Sequence, residues 1–308
     1  MTPRRLRGLL LGLAALLVLY AAACTGEDKG RDVGGRGSHG PRTGTQDGDP
    51  GGSAGLGSAS PSPSASGPAA PPPAGGWWKP AVGLTWQWQL TGTLDKSVPA
   101  DVYDVDGENT PAADVAALKA AGRHVVCYVN AGAHEDFRPD AKHYPESVQG
   151  KGLEGWPGEK WLDIRRWDVL EPLLAARFKT CKDKGFDAVE PDNVDGYSNG
   201  SGFPLTADDQ LTFNRRVADL AHRAGLGVGL KNDVDQAAAL APAFDFAVNE
   251  QCAHYDECDA LKVFTAAGKP VFHVEYEGST DSFCPKARAL HFSSMKKKTG
   301  LDAWRETC

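Results

Sequence analysis

Short apolar strands alternate with helical segments from Val82 to the end of the chain, and this alternation constrains the fold more than any other feature. Alternation of this kind is typical of parallel strands joined by right-handed crossovers. The sequence therefore predicts an α/β fold, a (β/α)8 TIM-type barrel. The eight predicted strands are Gly83–Leu90, Val102–Asp106, His124–Asn130, Phe186–Asp192, Leu226–Asn232, Phe244–Glu250, Pro270–Tyr276 and Leu301–Trp304.

Two features differ from an ideal barrel. The segment 91–101 between the first two strands is too short for a full helix with its loops. The last predicted helix, Pro285–Lys298, precedes the eighth strand, and no helix follows that strand. We therefore expect the first and last helices to be short or missing. An open doubly wound sheet is the alternative fold, but no G-x-G-x-x-G turn follows the first strand, which disfavours dinucleotide binding.

The first residues have the pattern of an export signal. Three arginines within residues 4–7 precede the apolar run Leu9–Ala23, which is too short for a stable membrane span. We predict a signal peptide over residues 1–23. The run Ala21-Ala22-Ala23-Cys24 resembles a bacterial lipobox, so Cys24 is the predicted lipidation site, with ordinary secretion as the alternative. The expected location is the extracellular face of the cell membrane as a lipoprotein, or the secreted fraction.

Composition then divides the rest of the chain. Residues 24–76 are dominated by Gly, Ser, Pro and Ala, which cannot bury enough apolar surface to offset the entropy of ordering. We predict a disordered tether there, after the lipidated cysteine. Residues 77–308 then form one domain, large enough for a barrel. The formal net charge of -7 disfavours nucleic acid and favours a cationic or neutral partner.

Six cysteines remain when Cys24 is set aside, and an even number in an exported domain indicates disulfides. Cys127 should face outward, because it alternates with Tyr128 and Asn130 on its strand, and Cys181 lies on the helix that would cover that strand. The predicted pairs are Cys127–Cys181, Cys252–Cys258 and Cys284–Cys308. A zinc site is the alternative, but no pair has the C-x2-C spacing.

Polar or aromatic side chains end almost every predicted strand. In a parallel barrel the carboxyl ends of the strands form the active face. Amides and acids can hydrogen-bond sugar hydroxyls, and aromatic rings can stack on the apolar faces of sugars. The sequence therefore predicts a carbohydrate site at this face. Its predicted substrate-binding residues are Trp86, Gln89, Asp104, Tyr128, Asn130, Glu190, Asn193, Lys231, Glu275 and Trp304.

Two acids at strand ends have the arrangement that glycosidic cleavage requires. Asp192 ends the fourth predicted strand, and Glu250 ends the sixth. One carboxyl group must protonate the leaving oxygen, and the other must act as nucleophile or base. We predict Asp192 and Glu250 as the catalytic pair, with Glu250 as proton donor. Glu190, which points the same way as Asp192 on an alternating strand, would tune the pKa of its neighbours.

Five motifs together resemble the endo-α-1,4-polygalactosaminidase family of glycoside hydrolases: Trp86–Leu90, Trp161–Ile164, Glu190–Tyr197, Lys231–Asp233 and Asn249–Cys252. The resemblance covers residues 77–308. It implies a TIM-barrel-like domain that cleaves α-1,4-linked, galactosamine-rich exopolysaccharide within the polymer. The family's proposed catalytic aspartate and glutamate follow strands four and six, and they match Asp192 and Glu250.

The expected partner is thus an amino-sugar polysaccharide. We expect a monomer that needs no cofactor and contacts the membrane only through its lipid anchor. Two other functions stay open. One is a carbohydrate-binding lipoprotein that lacks catalytic turnover. The other is metal-dependent hydrolysis through Asp104, Asp106 and Asp192, which the scarcity of histidine at the strand ends disfavours.

Overall fold

The structure is a computed structural model, and it describes residues 76–308. Its strands are β1 Trp86–Gln89, β2 Val102–Asp106, β3 His124–Asn130, β4 Ala133–Glu135, β5 Gln149–Gly152, β6 Glu159–Leu162, β7 Ala188–Asp192, β8 Gly227–Lys231, β9 Phe246–Glu250, β10 Val271–Glu275, β11 Ser293–Lys296 and β12 Glu306–Thr307. Its α-helices are α1 Ala112–Ala120, α2 Trp167–Lys184, α3 Ala207–Arg223, α4 Ala237–Leu240, α5 Lys262–Ala266 and α6 Thr280–Ala289.

Eight parallel strands form the main sheet in the order β1-β2-β3-β7-β8-β9-β10-β11, and β12 adds to β11 in the antiparallel direction. Side-chain hydrogen bonds connect the two ends of the parallel row. The indole Nε1 of Trp86 donates to the carbonyl of Ser293 (2.8 Å), and the Ser293 hydroxyl donates to the carbonyl of Leu84 (2.7 Å). The predicted (β/α)8 barrel class is therefore confirmed.

Side chains alternate between the barrel interior and the surrounding helices. One buried cluster fills the interior, and a larger one lies between the strands and the helices. The interior cluster contains Trp86, Trp88, Val102, Val126, Ala188, Phe246, Val248, Phe272, Val274 and Met295. Continuing the alternation along β2, β3 and β7 brings Asp104, Tyr128 and Glu190 above these apolar layers. The polar residues thus collect at one end of the barrel, which we call the mouth.

The prediction of short or missing terminal helices is confirmed, because no α-helix of the described chain lies between β1 and β2 or after β11. The predicted eighth strand, Leu301–Trp304, is wrong. The eighth parallel strand is β11, which falls inside the segment predicted as the helix Pro285–Lys298. Helix α6 begins earlier, at Thr280, and the polar sequence of β11 concealed its strand character. A chain reversal after β11 leads into β12.

The long helices begin and end where local chemistry favours it. Thr206 caps α3, because its side chain accepts a hydrogen bond from the Asp209 backbone N–H while the Asp209 side chain accepts one from Thr206 N. Helix α2 ends at Gly185, which has the left-handed φ of 95° that glycine adopts without strain. The end of α2 fixes where β7 begins, and so which residues of β7 reach the mouth.

The segment Ala131–Asp163 contains a small antiparallel sheet of order β4-β6-β5. It follows the carboxyl end of β3 and therefore lies beside the mouth. Its connection to the barrel is direct, because the Leu162 N–H donates to the carbonyl of Gly132 (2.9 Å). This small sheet, which we call the side sheet, supplies part of the wall of the mouth.

The opposite end of the barrel is covered by Trp77 and Trp78. The Trp78 ring stacks on His124 at 4.3 Å and contacts Phe246 at 6.4 Å, and these two residues begin β3 and β9. The Trp77 ring stacks on His222 at 3.8 Å. Trp77 and Trp78 therefore lie at the end of the barrel away from the mouth.

Three disulfides connect parts of the domain, and they are the three predicted pairs. Cys127–Cys181 joins β3 to α2, which confirms that Cys127 faces outward from the barrel. Cys252–Cys258 closes the loop after β9, and Cys284–Cys308 joins α6 to the C-terminal residue. Cross-links of this kind stabilise the fold mainly by restricting the unfolded chain.

The predicted signal peptide, the lipidation site Cys24 and the tether up to residue 75 lie outside the described residues. Within residues 76–308, no helix is long and apolar enough to span a membrane.

Gly229 on β8 provides a test of interior packing, because a Cβ atom added there would lie 2.3 Å from a ring carbon of Phe246. We expect Gly229→Ala to lower the free energy of unfolding by about 1–3 kcal/mol, measured by urea denaturation. Gly300→Ala is the control, because nothing lies within 4 Å of a Cβ atom at Gly300. It should change that free energy by less than about 0.5 kcal/mol. Equal effects of the two substitutions would contradict this account of the interior.

Candidate active site

Lys231, the last residue of β8, is buried at the centre of the mouth and contacts three carboxylates. Its Nζ lies 2.9 Å from Asp192 Oδ1, 3.1 Å from Glu250 Oε2 and 3.3 Å from Glu190 Oε1. Burial alone would lower the pKa of Lys231, but the carboxylates outweigh it and raise that pKa well above its usual range. The ammonium group therefore stays charged and holds the neighbouring strand ends together.

Asp192 is held as a carboxylate. Burial alone would raise its pKa, but the charge of Lys231 and hydrogen bonds to the carboxylate lower the pKa below its usual value. The hydroxyl of Tyr128 donates to Oδ2 (2.8 Å), and the backbone N–H of Asn193 donates to Oδ1 (2.8 Å). Asp192 is thus ionised and fixed in orientation, as a nucleophile or base must be.

Glu250 lies across Lys231 from Asp192 and has a different set of partners. The hydroxyl of Tyr276 donates to Glu250 Oε1, and the amide of Asn232 donates to Oε2 (3.2 Å). Of the two side chains, that of Glu250 is the more exposed, at 24% against 17% for Asp192. Both carboxyl groups can therefore meet a substrate from the solvent side while Lys231 contacts them from beneath.

Left-handed backbone follows each of the three central strand ends. Asn193, Asn232 and Gln251 have φ values of 60°, 49° and 63°. Non-glycine residues rarely adopt this region, and such strain is retained mainly at functional sites. Here it turns the chain away directly after Asp192, Lys231 and Glu250, so that the three side chains converge.

Gly132 lets the chain after β3 pack against this strained turn. A Cβ atom at Gly132 would lie 1.7 Å from the carbonyl oxygen of Asn193. The N–H groups of Ala131 and Gly132 both donate to the carbonyl of Asp192 at 3.0 Å. The backbone of Asp192 is therefore fixed from the β3 side as well as by its own strand.

Glu190 and Asp104 form a buried acidic pair beneath the mouth. Burial is the main cause that raises the pKa of Glu190 to about 7, although Lys231 and a hydrogen bond with Asp104 lower it. Burial, followed by the charge and the hydrogen bond of Glu190, raises the pKa of Asp104 well above its usual value. Asp104 is thus held neutral and donates to Glu190, which leaves Glu190 as the third acceptor for Lys231.

The structure brings Asp192, Glu250, Lys231, Tyr128 and Asn193 together at the mouth. Tyr128 and Asn193 are half-buried, so a ligand can reach them.

Two of the predicted binding residues face the wrong way. Gln89 lies on the outer side of β1, and its amide donates to the carbonyls of Thr91 and Thr93. Glu275 lies on the outer side of β10, where it accepts a hydrogen bond from Ala253 N (2.8 Å) and contacts His273 Nε2 (2.8 Å). The prediction that Gln89 and Glu275 bind substrate is therefore wrong, and both stabilise loops.

Four other predicted binding residues are buried behind the mouth. Trp86 is 3% exposed and packs in the interior, so it cannot serve as a sugar platform. Asp104 and Glu190, at 1% and 0% exposure, support Lys231 instead of contacting a ligand. Asn130 is 1% exposed, and its amide donates to Glu159 Oε2 (3.0 Å) while its oxygen accepts from Ala133 N. The physical reason is shared: each side chain lies below the exposed rim.

Trp304 is exposed, as a platform must be, but it lies on no strand. Glu306 of β12 pairs with Lys296, the last residue of β11, so the residues before Glu306 extend beyond the mouth end of that strand. Trp304 is 39% exposed, and Lys298 Nζ lies 5.4 Å from its ring centroid. It therefore belongs to the outer rim of the mouth.

The predicted binding residues did not include three side chains of the site. Trp88 lies under Lys231, whose Nζ is 4.8 Å from the ring centroid. Tyr276 and Asn232 both donate to Glu250. The signal for Trp88 and Tyr276 was the alternation of side chains: they share the inward face with Trp86 and Val274, whereas Gln89 and Glu275 do not.

The acids considered for a metal are each engaged elsewhere. Asp106 forms two hydrogen bonds with Arg138 (2.8 and 3.1 Å), Asp192 pairs with Lys231, and Asp104 bonds with Glu190. In residues 76–308, one group of potential ligands has the closeness that an ion needs, Cys252, Cys258 and His273. Its two cysteines form a disulfide and so offer no thiolate.

Comparisons with known proteins agree with this geometry. Residues 67–308 match the sequence model of glycoside-hydrolase family GH114. The crystal structure of Aspergillus fumigatus Ega3 in complex with galactosamine is similar, with 40% identity, coverage of 75% of this chain and 97% of that chain, and a TM-score of 0.72. The glycoside hydrolase domain of PelA from Pseudomonas aeruginosa has the same fold, with 14% identity, coverage of 72% and 97%, and a TM-score of 0.57. No curated protein is significantly similar.

Removing Lys231 should raise the pKa of Asp192, because burial would then act without the opposing charge. We expect Lys231→Met to move the titration midpoint of Asp192, followed by carbon NMR of its carboxyl group, to higher pH. The contribution of Asp192 to the pH dependence of the free energy of unfolding should also change in sign. In the wild type the lowered pKa stabilises the fold above the unfolded-state pKa, and this contribution is lost as the pH falls through the native pKa. In the variant, a raised pKa would make stability fall as the pH rises.

Lys184→Met is the matched control, because Lys184 Nζ donates to the carbonyls of Gly107 and Glu108 and contacts no carboxylate of the site. It should leave the titration of Asp192 unchanged. An unchanged midpoint in Lys231→Met would show that Lys231 does not hold Asp192 ionised.

Proposed function

Because the chain belongs to glycoside-hydrolase family GH114, we propose that it cleaves α-1,4 linkages within a galactosamine-rich polysaccharide by a two-carboxylate mechanism. The observation that carries the proposal is the pair Asp192 and Glu250, which flank one buried cation, Lys231, at the mouth of the barrel. Glycosidic cleavage needs two carboxyl groups in different protonation states, one on each side of the reacting bond.

The environments of the two acids support separate roles. Asp192, with its lowered pKa, is the nucleophile, and Glu250 is the proton donor. The two oxygens that contact Lys231 Nζ lie at most about 6 Å apart, the sum of the 2.9 Å and 3.1 Å contacts. A separation of about 5–5.5 Å is typical of retaining enzymes, whereas inverting enzymes need about 6.5–9.5 Å to admit a water molecule. The upper bound applies to the two oxygens that face the lysine, and on that basis we propose a retaining mechanism.

The proposed reaction then has two steps. Glu250 protonates the glycosidic oxygen while Asp192 attacks the anomeric carbon, so that one half of the polymer leaves and a glycosyl ester forms on Asp192. In the second step Glu250, now a carboxylate, takes a proton from water, and the water oxygen attacks the anomeric carbon. The ester bond breaks, and both acids return to their starting states.

Charge and exposed rings support the choice of substrate. Galactosamine carries an amine that is cationic near neutral pH, and the mouth contains more acids than bases. Ega3, which is 40% identical to this chain, was crystallised with galactosamine. The most exposed large apolar side chains are contributed by segments at the mouth, after β3, β9 and β11. They are Phe137, Trp156, Tyr255 and Trp304. Rings on several sides of the mouth favour a long polymer that crosses it.

We also propose export, with Cys24 as a lipid anchor. Three disulfides fit an oxidising compartment. Trp77 and Trp78 cover the end of the barrel away from the mouth. An anchor that precedes them would leave the mouth free for a polymer outside the cell.

We expect Asp192→Asn and Glu250→Gln each to lower the rate of cleavage of a deacetylated galactosamine polymer by about 10³-fold or more. Each substitution removes one of the two carboxyl functions but conserves shape. Product chains would be separated by size and counted, and the melting temperature would be followed to confirm folding. Asp183→Asn, an exposed carboxylate on α2 at 61% exposure, is the control and should keep wild-type activity.

Two results would count against the mechanism. Wild-type protein that binds the polymer but never shortens it would support a non-catalytic binding role instead. Full activity in Asp192→Asn or Glu250→Gln would remove that residue from the catalytic pair.

The lipid anchor predicts incorporation of radiolabelled palmitate in cells that express the full chain. We expect Cys24→Ser to abolish this label and to move the protein from the membrane fraction into the medium, because a thioether-linked lipid needs the cysteine sulfur. Cys24→Ser protein should keep its activity on the polymer. An unlabelled wild-type protein in the medium would indicate ordinary secretion.

A further inference from the structure

We propose that Glu159 of the side sheet, together with Trp156, forms a subsite that binds the free amine of a galactosamine unit next to the cleaved bond. Glu159 would thus set the preference for deacetylated over acetylated sugar. This inference rests on the proposed function and assigns its specificity to named residues. Neither residue was among the binding residues predicted from the sequence.

The first argument is position. Glu159 begins β6, and its Oε2 accepts a hydrogen bond from the amide of Asn130 (3.0 Å). Asn130 pairs in register with Asp192 on the neighbouring strand, and its side-chain oxygen accepts from Asn193 Nδ2 (3.0 Å). Glu159 is therefore separated from the catalytic strand end by one asparagine side chain.

The second argument is charge. Glu135 lies directly opposite Glu159 in the side sheet, but it has Arg138 at 2.9 Å and Arg177 at 3.6 Å. Both arginines are already shared with other acids: Arg138 with Asp106 and Arg177 with Asp140. In the described part of the chain Glu159 forms no ion pair, and Asn130 is its hydrogen-bond donor. Unlike Glu135 and Asp140, Glu159 therefore lacks a cation among the described residues.

The electrostatic surroundings of Glu159 favour a cationic ligand. Burial, followed by the charges of Glu135 and Asp192, raises the pKa of Glu159 to about 7. A sugar ammonium group beside Glu159 would oppose these effects and favour the carboxylate. Arginines at fixed positions already neutralise Glu135 and Asp140, whereas Glu159 is suited to a cation that arrives with the substrate.

The third argument is the adjacent ring. Trp156 and Glu159 belong to one tight turn, in which the Glu159 N–H donates to the carbonyl of Trp156 (3.2 Å). Trp156 is 58% exposed, whereas Glu159 is half-buried. An exposed ring can stack on the apolar face of a sugar while a nearby carboxylate pairs with its amine. Acetylation would remove that charge and leave the half-buried carboxylate unpaired, which disfavours the acetylated unit.

The test compares specificity instead of activity alone. Wild type, Glu159→Gln, Glu159→Asp and Glu154→Gln would be assayed on galactosamine oligomers that are fully deacetylated or acetylated at single positions. For Glu159→Gln we expect kcat/KM on deacetylated oligomers to fall about tenfold or more, chiefly through KM. On oligomers whose acetyl group lies in this subsite, kcat/KM should be nearly unchanged. Glu159→Asp should retain part of the preference.

Glu154→Gln is the matched control, because Glu154 is an exposed acid in the same hairpin. Glu154→Gln should keep the wild-type kcat/KM on both the deacetylated and the acetylated oligomers. A second measurement is calorimetric binding of deacetylated and acetylated oligomers to proteins that also carry Glu250→Gln. Glu159→Gln should remove the difference in affinity between them.

The outcomes separate this inference from the proposed function. A wild-type protein that cleaves no galactosamine oligomer overturns the proposed function. A wild-type protein that cleaves them, with Glu159→Gln retaining the wild-type ratio of deacetylated to acetylated rates, overturns the role of Glu159 alone. If Glu159→Gln lowered the rates on deacetylated and acetylated oligomers equally, Glu159 would have a structural role. That result would also overturn its proposed role in specificity.

Discussion

The ion pairs of Lys231 are the interaction on which the rest of the site depends. A buried ammonium group is costly unless charges and hydrogen bonds compensate it, and here Glu190, Asp192 and Glu250 do so together. The three acids come from the two strands that flank β8, so the pairs form only when β7, β8 and β9 are in their native register. Folding of the barrel and assembly of the site are therefore one event. Loss of any one partner would leave an uncompensated charge at the mouth.

Backbone strain and a close approach give this electrostatic centre its rigidity. Left-handed residues follow each of the three strand ends, and Gly132 admits the chain after β3 against Asn193. Conformations of this kind persist only when the surrounding structure determines them. The network from Asn130 through Asn193 to Asp192 shows how that happens, because amide side chains and backbone N–H groups fix the carboxylate before a substrate arrives. Such preorganisation is the usual source of electrostatic catalysis.

Most of the barrel could be predicted from the sequence because apolar strands recur at regular intervals, and the outward position of Cys127 followed from alternation alone. Where the predictions failed, the cause was physical. Strand β11 has the sequence Ser-Ser-Met-Lys, and its strand character comes from barrel closure, not from composition. Gln89 and Glu275 were chosen because they end strands, yet the alternation places them on the outer side. Glu159 could not be found at all, since it reaches the mouth through the side sheet, whose position no local pattern encodes.

A buried lysine and a cationic substrate in one site bring two positive charges together. The depth of Lys231 in the barrel explains how the site accommodates both. Lys231 lies beneath the carboxylates and is 2% exposed. Three acids offset its charge, and Glu190 is the one of them that is fully buried. The outer faces of Asp192 and Glu250 remain open to the mouth, so an approaching sugar meets carboxyl oxygens before it meets the ammonium group. The same reasoning accounts for Asp104. It is held neutral and donates to Glu190, so it adds no further charge to the interior. The arrangement keeps the mouth anionic enough to attract an amine while Asp192 stays ionised.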